Sequence, residues 1–222
     1  MSIPRKESRP PGPHAGQPVT GFGRELDPTS TVAIMIHGRG ASPEDILGLA
    51  TAFDRPDVTY LAPAAANHTW YPYSFLTEIA KNEPYLSSAL SVIAGLVAEV
   101  EGAGVPRERI VVMGFSQGAC LTSEFAIRNA SRFGGFVAFS GGAIGPPGTR
   151  WNDTGRFDGT PMFFGCSNVD PHIPEERVNE TAAMCERMGA TVTKKIYPGM
   201  GHLVSDDEIT HARKMLDAVL GS

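Results

Sequence analysis

The stretch Arg109-Ile110-Val111-Val112-Met113-Gly114-Phe115-Ser116-Gln117-Gly118-Ala119 constrains the fold more than any other. An apolar, β-branched run reaches a serine that has a glycine two residues to either side, and small and apolar residues follow. A strand must stop, reverse sharply and continue as a helix, with Ser116 at the tip. So sharp a reversal calls for glycine at 114 and 118. The pattern Gly-x-Ser-x-Gly is weak alone. With 25 glycines in 222 residues, chance supplies roughly 0.2 such matches, so the rest of the chain must provide the context.

That context is an alternation of strands and helices. Residues 17–26 predict an edge strand, and 31–36 a strand buried on both faces, ending in the turn His37-Gly38-Arg39-Gly40. Ser42, Pro43, Glu44 and Asp45 read as a helix start, and Ile46, Leu49, Ala50 and Phe53 give that helix an apolar face. Strand 58–61 and helix 87–103 follow, separated by an irregular stretch (64–86) rich in aromatics. Next come strand 109–115, helix 117–130, strand 135–139, a surface loop over 141–160, strand 161–165, helix 174–188 and strand 191–197. Ser205 and Glu208 form a capping box for a last helix lined by Ile209, Ala212, Leu216 and Val219. Parallel strands need crossover helices, so this order predicts an α/β fold with a mainly parallel central sheet and helices on both faces. Residues 1–16, with Pro4, Pro10, Pro11 and Pro13, predict a mobile or surface-draped tail. Residues 17–222 read as a single domain.

Hydrophobic content of 41% and charged content of 19% indicate a globular chain. A net charge of −5 argues against nucleic acid or an anionic membrane as the main partner. No run appears long and apolar enough to span a bilayer. Cys120, Cys166 and Cys185 lack metal-site spacing and read as free buried thiols in a reducing cytoplasm.

Ligands of open α/β sheets gather at the carboxyl ends of the strands. The polar residues there are His37 and Arg39, Ser116, Asp170 and His202. A serine hydroxyl needs a base to become nucleophilic, imidazole suits neutral pH, and a buried carboxylate holds the imidazole in one tautomer. The order Ser116, Asp170, His202 is that of the α/β-hydrolase fold. His172 is too close to Asp170 in the chain to serve as the base, and Asp153 and Asp158 lie at the wrong end of their strand. The backbone amides of Gln117 and Arg39 are the candidate donors to an oxyanion. The Arg39 side chain reads as solvated, or as a ligand for a substrate's acid group. His37 reads as an organiser of its loop. Trp70, Tyr71, Tyr73, Phe75 and Tyr85 form either a flap or a packed excursion, with Trp70 the candidate substrate contact. Exposure of that segment leaves homodimer formation open.

Four segments in register, Ile36-His37-Gly38-Arg39-Gly40-Ala41-Ser42, Gly114-Phe115-Ser116-Gln117-Gly118, Asn168-Val169-Asp170-Pro171-His172-Ile173-Pro174 and Gly199-Met200-Gly201-His202, resemble the phospholipase/carboxylesterase family of small α/β-hydrolases, over about residues 31–220. The resemblance implies a serine carboxylesterase acting on small, often short-chain esters without metal or cofactor. It matches Ser116, Asp170 and His202 to the triad and Arg39 and Gln117 to the oxyanion hole. Ala41 stands where many members have an acid, and Trp70-Tyr71-Pro72 where thioesterase-type members have Trp-Phe-Asp. Those departures favour a small-molecule esterase over deacylation of lipidated proteins; the alternatives are an acyl-thioesterase or lysophospholipase-type activity, or a non-catalytic α/β-hydrolase that binds a small ligand or a partner protein.

Overall fold

A computed structural model describes residues 12–221. Seven strands form one sheet: β1 (Val19–Gly23), β2 (Thr31–Ile36), β3 (Val58–Pro63), β4 (Ile110–Phe115), β5 (Gly135–Phe139), β6 (Pro161–Ser167) and β7 (Thr191–Tyr197). Their spatial order is β1-β3-β2-β4-β5-β6-β7. Only β1 runs antiparallel, at one edge against β3. The remaining neighbours are parallel. The central strands β2, β4 and β5 are buried almost throughout, which is why they read as unbroken apolar runs rather than alternating ones.

Helices cover both faces. On one side α1 (Pro43–Phe53) and α5 (Asp206–Leu220) bury Ile46, Ala50, Phe53, Ile209, Ala212 and Leu216 against Met35, Met113 and Phe139. On the other, α2 (Tyr85–Gly102), α3 (Gln117–Arg128) and α4 (Glu175–Arg187) pack on Ile34, Val112 and Phe136. The expected capping box of Ser205 with Glu208 forms, and Ser42, expected only as the start of α1, makes a second one with Asp45. β6 runs two residues beyond its expected end because it stays paired with β7 as far as Ser167 and Tyr197.

Three expectations change. Residues 12–16 do not behave as a loose tail: His14 is fully buried, its amide bonded to Ser88 Oγ and its ring to the Trp70 carbonyl. The rest of the expected tail, residues 1–11, lies outside the described residues. Length and composition would let α2 cross a membrane, contrary to the expectation that no stretch would. Half of that helix is buried in the fold, however, and Leu86, Ala89, Ile93, Leu96 and Val100 are core residues. The loop over 141–160 is not wholly superficial either. Ala143, Ile144 and Phe157 are buried, and the buried Arg177 donates to the carbonyls of Ala143 and Gly145.

Candidate active site

The turn between β4 and α3 places Ser116 at φ 55°, ψ −117°, a conformation few non-glycine residues adopt. Packing enforces it. A Cβ on Gly118 would lie 2.1 Å from the Ile36 carbonyl oxygen, and one on Gly114 would lie 2.5 Å from the backbone of Gly118. The glycines therefore serve close approach of three backbone segments, not a positive φ. The Ser116 amide donates to Phe139 O and the Cys120 amide to Ser116 O, each at 3.0 Å. The Ser116 hydroxyl does not cap α3, so it points away from its own helix.

The loops after β6 and β7 bring the other two residues to this hydroxyl. His202 Nε2 lies 2.9 Å from Ser116 Oγ, and His202 Nδ1 lies 2.7 Å from Asp170 Oδ2. A carboxylate can only accept, so Nδ1 carries the proton and Nε2 is left free to accept from the serine. Asp170 Oδ1 accepts from the amides of His172 (2.8 Å) and Ile173 (3.0 Å). Burial pushes the Asp170 carboxyl up, but the His202 bond and those two amides outweigh it and hold the carboxyl below its usual range. Two rings pack on the imidazole: Phe115 at 4.9 Å and His172 at 4.8 Å between centroids, the latter edge-on. Ser167 Oγ accepts from the amides of Val169 and Gly201, and Asn168 Oδ1 from Gly199, which joins the Asp170 loop to the His202 loop.

A cleft of about 650 Å³ opens beside Ser116, within the size range of small-ligand sites. Gly38, Arg39, Tyr71, Tyr73, Phe75, Cys120, His172 and Ile173 are among its walls. An added Cβ on Gly38 would come within 3.5 Å of the Ser116 Cβ, so the His37–Gly40 turn lies directly against the serine. The arrangement can activate a hydroxyl at neutral pH and hold an acyl group against it.

A sequence profile of the phospholipase/carboxylesterase family matches residues 24–220. The chain belongs to that family. An acyl-protein thioesterase 1 from Eremothecium gossypii is 32% identical over 71% of this chain and 68% of its own length. The crystal structure of a phospholipase/carboxylesterase from Dyadobacter fermentans is 39% identical, covers 91% of this chain and 97% of its own, and superimposes with a TM-score of 0.85. A Bacillus cereus carboxylesterase, 19% identical over 92% of this chain and 95% of its own, shares the fold with a TM-score of 0.73. The chain is therefore a carboxylic ester hydrolase of α/β-hydrolase fold.

Within this family member, Ser116, Asp170 and His202 converge as the strand-end placement predicts. Trp70 does not meet its expectation as a substrate contact. It is fully buried and absent from the cleft wall; its indole donates to the His37 carbonyl, and the rings of His14 and His37 pack at 5.3 Å and 5.0 Å. Its neighbours Tyr71 and Phe75 line the cleft instead. The 64–86 segment is a packed excursion, with only Tyr73 and Tyr85 of its five large aromatics exposed. Its anchors come from the residues around Ser116. Gln117 accepts from the Trp70 amide and donates to the Tyr71 carbonyl. The Arg39 guanidinium donates to the carbonyls of Pro72 (3.0 Å) and Tyr73 (2.9 Å), so it is not simply solvated. His37 does organise its loop: Nδ1 donates to Gly38 O and Nε2 accepts from the Ala65 amide. Ser167 and His172 carried no signal beyond proximity to Asp170 in the chain.

Proposed function

We propose that this protein is a serine carboxylesterase that hydrolyses small, short-chain esters through an acyl-enzyme. The relay of 2.9 Å and 2.7 Å from Ser116 through His202 to Asp170, at the wall of an open cleft, carries this reading. Ser116 Oγ attacks the ester carbonyl while His202 Nε2 takes its proton, and Asp170 stabilises the imidazolium. The backbone amides of Gln117 and Arg39 receive the oxyanion, and His202 returns the proton to the leaving alcohol. Water then repeats the sequence on the acyl-enzyme with His202 as base. Three free, buried cysteines fit a reducing compartment, and we place the protein in the cytoplasm.

A second reading is a thioesterase, favoured by the acyl-protein thioesterase from Eremothecium gossypii and opposed by Trp70-Tyr71-Pro72 in place of the thioesterase-type segment. A series of 4-nitrophenyl esters of increasing chain length, run beside an acyl-CoA and an S-acylated peptide, separates the two. Short esters should be turned over fastest. A preference for long acyl thioesters would reverse the assignment. Labelling of Ser116 by a fluorophosphonate probe tests the nucleophile itself.

A further inference from the structure

The cleft beside Ser116 has a charge pattern unlike the rest of the chain. The protein carries a net charge of −5, yet no aspartate or glutamate lines the cleft. Arg39, His172 and His202 do. The two bonds of the Arg39 guanidinium go to neutral carbonyls, and the Tyr71 ring lies 5.8 Å away, so its charge has no carboxylate partner among the described residues. His172 is exposed at the cleft wall. Its amide is committed to Asp170, but among the described residues neither ring nitrogen is hydrogen-bonded. The neighbouring acids are turned to other tasks. The Asp170 side chain is buried behind His202 with both oxygens engaged, and Asp45 is tied to Ser42 in the cap of α1.

A cation with unspent donors and an imidazole whose ring nitrogens are not hydrogen-bonded, on a wall without a carboxylate, suit an anionic group better than a neutral one. We propose that the preferred substrates are esters carrying a carboxylate, which is received by Arg39 and His172 while the ester carbonyl lies at Ser116. This rests on the esterase reading of the Ser116 site. Tyr71, Phe75 and Ile173 supply the apolar surface for the carbons between the two groups.

Matched ester pairs test it. Mono(4-nitrophenyl) adipate against 4-nitrophenyl hexanoate puts the charge on the acyl side. 4-Acetoxybenzoate against its methyl ester puts it on the alcohol side. The charged member of at least one pair should show kcat/KM about tenfold or more above its neutral partner, and the ratio should fall as salt is raised. His172→Phe and Arg39→Gln should each shrink that ratio. Neutral esters equal to or faster than charged ones in both pairs overturn the proposal, whether or not a variant folds. A ratio unchanged in both variants, with unchanged melting temperatures, overturns the assignment to these residues. Undiminished turnover of all four esters by Ser116→Ala would instead sink the esterase reading beneath it.

Discussion

At the scale of residues, the site depends on a few atoms held in costly positions. Ser116 occupies a backbone conformation that costs of order 1–3 kcal/mol, which the surrounding contacts must offset. Removing its hydroxyl should lower kcat at least about a thousandfold while the folded state persists, measured by ester hydrolysis beside circular dichroism. Asp170→Asn keeps the shape but loses the acceptor that selects the His202 tautomer. It should lower kcat by about 10⁴ with little change in KM. Gly118→Ala is the opposite kind of change, harmless in chemistry and severe in space. Its Cβ would meet the Ile36 carbonyl oxygen at 2.1 Å, so we expect destabilisation of about 1–3 kcal/mol or more in urea titration. An unchanged midpoint would show that the elbow tolerates an alanine.

At the scale of elements, the excursion over 64–86 is the part whose sequence left most open. Aromatics between prolines signal a long irregular segment but not what it packs on. Its position is decided by side chains distant in sequence. Gln117, expected for its backbone amide, also uses its side chain to satisfy the amide of Trp70 and the carbonyl of Tyr71. Asn82, which is buried, does the same for Tyr73 and Ser74. Gln117→Leu should therefore leave two buried backbone groups unpaired, at roughly 1–3 kcal/mol each. Denaturation midpoints should drop, and kcat/KM should drop further than the loss of stability explains, because Tyr71 is a cleft wall. A stable variant with full activity would show the excursion to be held by packing alone. The His37–Gly40 turn and the cleft wall are thus braced as one unit through Arg39 and Gln117.

At the scale of the molecule, two buried histidines tie folding to pH. His14 and His37 flank Trp70, and both are held neutral with pKa values lowered, burial being the largest cause. In the unfolded chain they titrate near 6.5. Above that pH neither state is protonated and their contribution is fully present. As pH falls below it, the unfolded chain takes up protons that the folded chain refuses, so stability falls, by up to about 1.4 kcal/mol per pH unit for each. The depressed Asp170 carboxyl adds to the loss only as pH falls below its unfolded value of 3.8. Urea midpoints should decline from pH 7 towards pH 5, and His14→Phe should flatten that decline. A flat profile in the parent protein would contradict the neutral assignment of both rings.

The sequence alone determined the element order and the chemistry at the strand ends. Strands β2, β5 and β7 fall where their apolar or β-branched runs predict, and Ser116, Asp170 and His202 meet because parallel strands bring their carboxyl ends to one edge. Those signals are local: periodicity, glycines and caps act over a few residues. Only the tertiary structure decided that His14 belongs to the core, that Trp70 is a brace rather than a wall, that Arg39 and Gln117 hold the aromatic excursion, and that His172 faces the cleft. Each depends on contacts between residues far apart in the chain. A side chain's type states what it can bond, and the fold alone states which partner is within reach.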